Sequence, residues 1–202
     1  MLHAATDPIV LVTLITLFVV SITLHEFGHA AAATALGDDT ARAAGRLTVN
    51  PLAHLDVFGT LFIVLAGFGW AKPVPFDPGR LAWPRLGTFL VSAAGPAANF
   101  LLAILALLVL EHAPDLGAGA RMWFQVLFEL NLMLLVFNLL PIPPLDGGNL
   151  IETLLPRRWL PAYRHLVPYG IVVLLLLVLV PQFRGVLDWL LGLARAAMYA
   201  LV

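Results

Sequence analysis

The sequence contains no cysteine, which excludes disulfides and thiolate metal sites, so that any bound metal has to be held by His, Asp or Glu. It is also poor in charge. Asp, Glu, Lys and Arg make up 11% of its 202 residues, where a soluble domain carries roughly a quarter. The formal charge is -1 and no Lys/Arg cluster stands out, so there is no electrostatic footprint for nucleic acid. A basic leader is absent as well. The first apolar run, about Ile9 to Ala35, is too long for a signal-peptide core and is expected to be retained as a membrane helix. No internal repeat, low-complexity tract or second soluble domain is visible, which predicts one membrane-embedded unit over residues 1–202.

What the chain does have is apolar length. Hydrophobic residues make up 61% of it, and runs such as Phe89 to Leu110 and Ile171 to Val180 approach or reach the roughly 20 residues that cross a bilayer as helix. The expected fold class is an all-α multi-pass membrane protein of about five to six transmembrane helices. Spans are expected at roughly 8–36, 87–111, 121–140, 164–181 and 184–201. The stretch Val57 to Trp70 is apolar but short and holds three glycines, so a re-entrant or interfacial segment is expected there, a full sixth helix being the alternative.

Arg46 to Asn50 and Trp70 to Phe76 read as short extended segments, the second limited by Pro73 and Pro75 to a sheet edge or to irregular structure. Such an edge either accepts a substrate strand by β-addition or is a plain connecting loop. With five spans, Arg42, Arg46, Lys72, Arg80, Arg85, Arg157, Arg158 and Arg164 share one side of the membrane, and the positive-inside rule makes that side cytosolic.

Chemistry concentrates in His25-Glu26-Phe27-Gly28-His29 near the cytosolic end of the first helix. Two histidines four apart lie on one helical face and can grip one metal ion, with Glu26 adjacent. Zinc held by three protein ligands leaves a position for water and lowers that water's pKa toward about 7, and a nearby carboxylate can take its proton as it attacks a carbonyl. Ionisable residues packed this closely in a membrane helix usually face a polar cavity or a partner.

Asp146 is the best third ligand. It follows Pro141, Pro143 and Pro144, which unwind the preceding helix, and it precedes Gly147 and Gly148, which free the backbone for the carboxylate to turn inward. Asn99 closes Gly95-Pro96-Ala97-Ala98-Asn99 inside the second helix; its amide either donates to an oxyanion or makes an interhelical hydrogen bond that aids packing. His54 either lines or supports the site or is an exposed loop residue. His3, His112 and His165 pair with no other ligand in the sequence and receive no role.

Taken in order, these pieces resemble the site-2 protease family, the intramembrane zinc metalloproteases of peptidase family M50. The resemblance rests on His25 to His29, Asn50-Pro51-Leu52-Ala53-His54, Gly69-Trp70-Ala71-Lys72-Pro73-Val74-Pro75, Gly95 to Asn99 and Asn138 to Gly148, and covers roughly residues 10–155. It implies one zinc on His25, His29 and Asp146, Glu26 as general base, the motif ending in Asn99 at the border of the site, and a three-helix catalytic core over about 8–155 followed by the C-terminal helices. It also implies cleavage of single-span transmembrane proteins within or beside the bilayer; the charge asymmetry puts the active site toward the cytosol, and compactness favours a plasma (inner) membrane. The chain looks like a compact member with no room for a PDZ or CBS domain. The rival readings are a membrane zinc transporter, which has no use for Glu26 and would spread polar residues over several depths, and an inactive scaffold, which would be expected to have lost a ligand or the base.

Overall fold

The computed structural model describes residues 8–56, 59 and 71–202. Most of the expected re-entrant segment from Val57 to Trp70, including Gly67, Gly69 and Trp70, lies outside the described residues, as does His3.

Helix α1 spans Pro8–Ala35. It starts on a proline, whose missing N–H removes nothing at the first helical position. It stops in a Schellman turn: Gly37 adopts φ +98°, Asp38 N–H donates to Ala33 O at 3.0 Å and Gly37 N–H to Thr34 O at 3.1 Å. Helix α2, Pro84–His112, also opens on proline and carries Pro96 in its interior. Helix α3 is Ala118–Asn138, and a proline-rich loop leads to the short α4, Asp146–Leu154. Then follow α5, Leu160–Leu166, α6, Gly170–Leu179, and α7, Pro181–Tyr199.

Among the described residues, four helical stretches are long and apolar enough to cross a bilayer: Pro8–Ala35, Pro84–His112, Ala118–Asn138 and Arg157–Leu177, the last running through α5 into α6. The span expected at 184–201 corresponds to α7, which is helical but carries Arg184, Asp188 and Arg195 and is not one of the four.

No strand forms among the described residues. Where extended segments were expected, one antiparallel bridge joins Leu55 to Ala71, with Lys72 N–H donating to His54 O at 2.8 Å. The carbonyls beside it are engaged by a side chain instead of a second strand. Arg46, 5% exposed, donates to Ala53 O at 2.6 Å, to Pro73 O at 2.9 Å and to Lys72 O.

In the bundle α2 lies against both α1 and α3. Leu17, Phe18 and Ile22 of α1 meet Leu130 and Leu134 of α3, while Ala103, Ala106 and Leu107 of α2 pack with Phe128 and Leu132 of α3 and Met198 of α7. Lipid tails are as apolar as leucine, so this association depends on close packing and interhelical hydrogen bonds more than on expelling water. Gly28 lets the α1 and α2 backbones come close: a Cβ there would lie 2.8 Å from Ala94 O of α2. Helix α4 is held against α2 by Arg85, whose guanidinium donates to Thr153 O and, at 2.5 Å, to Leu155 O. A cation at these terminal carbonyls also complements the helix dipole.

Candidate metal centre and active site

His25 and His29 lie one turn apart on α1, both buried, with their rings edge to face at 84°. Each is fixed through Nδ1 by α2. His29 Nδ1 donates to Val91 O at 2.7 Å, and His25 Nδ1 meets the Asn99 side-chain oxygen at 2.6 Å. A carbonyl or amide oxygen can only accept, so the proton of each neutral ring resides on Nδ1 and each Nε2 presents a lone pair. Gly95 makes room for both rings, because a Cβ there would collide with His25 and His29 together.

Asp146 reaches the same point as the first residue of α4. The two glycines after it serve a different purpose from the one expected. Both sit inside the helix, and neither is among the glycines with positive φ. What they supply is space: a Cβ on Gly147 would lie 2.5 Å from the Leu139 carbonyl carbon, and one on Gly148 2.8 Å from Pro143 N. The proline-rich loop therefore folds back onto the first turn of α4 and turns Asp146 toward α1.

The three donor atoms form a tight triangle. His25 Nε2 is 3.1 Å from His29 Nε2 and 3.1 Å from Asp146 Oδ2, which is 3.3 Å from His29 Nε2. Asp146 Oδ2 is buried with no hydrogen-bond partner. Two lone pairs and a carboxylate oxygen facing one another without a shared proton repel, unless a cation stands between them. Zinc–ligand bonds of about 2.0–2.1 Å in a tetrahedron place ligands roughly 3.3 Å apart, so the triangle fits zinc in both size and chemistry.

Glu26, 7% exposed, shares a cavity of about 420 Å³ with His25, His29 and Asp146. One wall is the irregular segment Ala71, Pro73, Val74 and Phe76; Asn138, Asn149 and the α6 residues Ile171 and Leu174 contribute to others. The structure does not place every expected residue here. Asn99 is fully buried behind His25 and is not among the residues lining the cavity; its Nδ2 donates to Asn131 Oδ1 at 3.0 Å. In this arrangement the amide makes an interhelical hydrogen bond and does not face the cavity. His54 is also fully buried, with Nε2 donating to Thr48 O at 2.8 Å, and lies outside the lining.

Two residues not anticipated from the sequence belong to the site's surroundings. Asn131 backs Asn99. Ser92, 2% exposed, lines the cavity with a hydroxyl that has no hydrogen-bond partner. A helical serine normally returns its hydroxyl to the preceding turn, so its free state here was the structural signal that the sequence lacked.

Membrane-length helices with a His-His-Asp donor set beside a glutamate define a membrane zinc metalloprotease. The sequence profile of Peptidase family M50 matches residues 13–115 and 112–179, and the chain belongs to that family. YwhC of Bacillus subtilis (strain 168), provisionally named a zinc metalloprotease, is 43% identical over 93% of this chain and 90% of its own length. Rip2 of Mycobacterium tuberculosis (strain ATCC 25618 / H37Rv), named in the same way, is 36% identical over 92% of this chain and 75% of its own. The zinc metalloprotease MJ0392 of Methanocaldococcus jannaschii is 26% identical over 72% of this chain and 35% of its own. No solved structure matches.

Proposed function

We propose that this protein is an intramembrane endopeptidase that hydrolyses peptide bonds of single-span transmembrane proteins, with one zinc per chain on His25, His29 and Asp146. The observation that carries the reading is the convergence of these three donors with Glu26 on one cavity between the helices. Bound zinc would supply Lewis-acid polarisation of the scissile carbonyl and activation of the attacking water.

The chain's own residues do the rest. Glu26 takes a proton from the attacking water as the carbon–oxygen bond forms and returns it to the leaving nitrogen as the carbon–nitrogen bond breaks. Asn99 and the Val91 carbonyl hold the two imidazoles so that both Nε2 atoms face Asp146. A substrate helix unwinds to reach the site, because a helical peptide bond is engaged in its own hydrogen bonds, and lies extended along the wall formed by Ala71 to Phe76.

The site faces the cytosol of a plasma (inner) membrane in this reading, which the positive-inside rule supports, because Arg42, Arg46, Lys72, Arg80, Arg85, Arg157 and Arg158 all lie in or beside loops at the site's end of the bundle.

The test is cleavage of a tagged single-span substrate co-expressed with wild type or with Glu26→Gln, alongside the zinc content of both purified proteins. Cleavage by the wild type alone, with about one zinc in each, is the expected result. Equal cleavage by Glu26→Gln would remove Glu26 from the chemistry. Zinc flux into vesicles without any cleavage would replace the protease reading by transport.

A further inference from the structure

A chain of buried amides runs behind the metal centre through three helices. Asn131 of α3 donates from Nδ2 to Leu127 O at 2.9 Å and to Ser21 Oγ of α1 at 2.9 Å. Its Oδ1 accepts from Asn99 Nδ2 at 3.0 Å, and Asn99 Oδ1 accepts from His25 Nδ1 at 2.6 Å. Ser21, Asn99 and Asn131 are all fully buried and His25 is 3% exposed, so these bonds are closed to bulk solvent.

The direction of every bond in this chain follows from one group. A side-chain amide can be turned end for end, and a serine hydroxyl would tolerate either end because it both donates and accepts. The Leu127 carbonyl tolerates only one end, since it accepts and never donates. It therefore fixes which end of Asn131 is nitrogen. The oxygen of Asn131 then faces Asn99 and demands a donor, which fixes Asn99. The oxygen of Asn99 in turn faces His25 Nδ1 and demands a proton there, leaving Nε2 bare toward Asp146 and His29. Reversing any member would set two acceptors or two donors face to face between buried side chains, at a cost of roughly 1–3 kcal/mol.

We propose that Asn131 is a positioning residue for the metal centre: anchored by the Leu127 carbonyl, it sets the orientation of the Asn99 amide and through it the tautomer of His25 that can bind zinc. This rests on His25 being a zinc ligand, as inferred above, but the tautomer is a property of the metal-free chain and can be read independently. The variants follow from the bond pattern. Asn131→Leu removes the anchor and lets Asn99 turn. Asn131→Asp, neutral when buried, keeps an oxygen toward Asn99 and offers an O–H to Leu127. Ser21→Ala removes only the partner that does not discriminate.

The experiment is nitrogen NMR of histidine-labelled, metal-free protein in nanodiscs, joined to zinc titration of the same samples. Wild type, Ser21→Ala and Asn131→Asp are expected to show His25 protonated on Nδ1. Asn131→Leu is expected to show a substantial Nε2–H population and zinc binding weakened by roughly 10–100-fold, the usual effect of losing a partner behind a metal ligand. A wild-type His25 protonated on Nε2 overturns the proposal even if no variant folds. So does an Asn131→Leu protein with the wild-type tautomer. If the tautomers behave as expected but wild type binds no zinc at this site, the amide chain stands and the metalloprotease reading is what fails.

Discussion

Gly95 of α2 lies directly against the imidazole of His25: a Cβ on it would stand 2.7 Å from His25 Cε1 and 2.6 Å from His29 Cε1. Gly95→Ala therefore has to push one or both rings away from Asp146. Zinc binding is expected to weaken, with stability falling by about 1–3 kcal/mol as for other overpacked sites. Gly28→Ala, pressed against the Ala94 carbonyl, should lower stability similarly. Gly192→Ala is the control, since nothing lies within 4 Å of its Cβ, and it should gain roughly 0.5–1 kcal/mol from helix propensity. Zinc content and thermal unfolding of the three variants check this.

Asn99 offers a sharper contrast. If its amide orients His25, Asn99→Ala weakens zinc binding by roughly 10–100-fold, and added zinc restores much of the cleavage rate. An oxyanion donor would behave in the opposite way, with zinc affinity unchanged and kcat lowered at saturating metal. Zinc titration with cleavage assays at several metal concentrations separates the two.

Arg46 ties the cavity wall to the loop after α1, and its planar fork serves three carbonyls at once. Arg46→Ala leaves three partly buried carbonyls without their donor and is expected to cost about 1–2 kcal/mol. Arg46→Lys should recover little, because an ammonium does not reproduce the fork. Zinc content should stay near wild type while KM for a peptide substrate rises, which steady-state kinetics would show.

Acid should loosen the same region through Asp38, whose side chain accepts from Thr40 N–H at 3.0 Å and from Asp77 N–H at 2.6 Å. Burial pushes its carboxyl upward, but the Thr40 and Asp77 hydrogen bonds and nearby Arg80 outweigh this and hold it below its ordinary value of 3.8. A depressed folded-state pKa stabilises fully above the ordinary value and is lost as pH falls through the depressed one. Wild type should therefore lose stability on acidification below that ordinary value, and Asp38→Asn should lack that part of the loss. Thermal unfolding across an acidic pH series tests this.

Different parts of this molecule were legible to different degrees. The pairing of His25 with His29 follows from helical period alone, and the first three spans follow from apolar length to within a few residues. Asp146 could be picked out because a carboxylate after a proline-broken helix had an incomplete metal site to complete. Asn99 was legible as a polar residue in the bundle but not in its role, which depends on the face of α2 that meets His25. Asn131 gave no local sign at all, since its meaning comes from contacts with Ser21 and Asn99 on two other helices. Of the two alternatives left open for Trp70 to Phe76, irregular structure is what its described part adopts, for a related reason: Arg46, distant in sequence, takes the Lys72 and Pro73 carbonyls that a neighbouring strand would have used.

The donors come from α1 and α4, at opposite ends of the catalytic region, and α4 is held in its place by the Arg85 contact, the folded proline loop, the Tyr163 hydroxyl on Gly148 O and the Arg164–Glu152 ion pair. During synthesis the two histidines enter the membrane first and Asp146 last. A growing chain thus holds at most a weak two-point metal site until three helices have inserted and α4 has docked. On the proposed function, hydrolytic competence waits for completed assembly, and half-made copies are harmless to their neighbours.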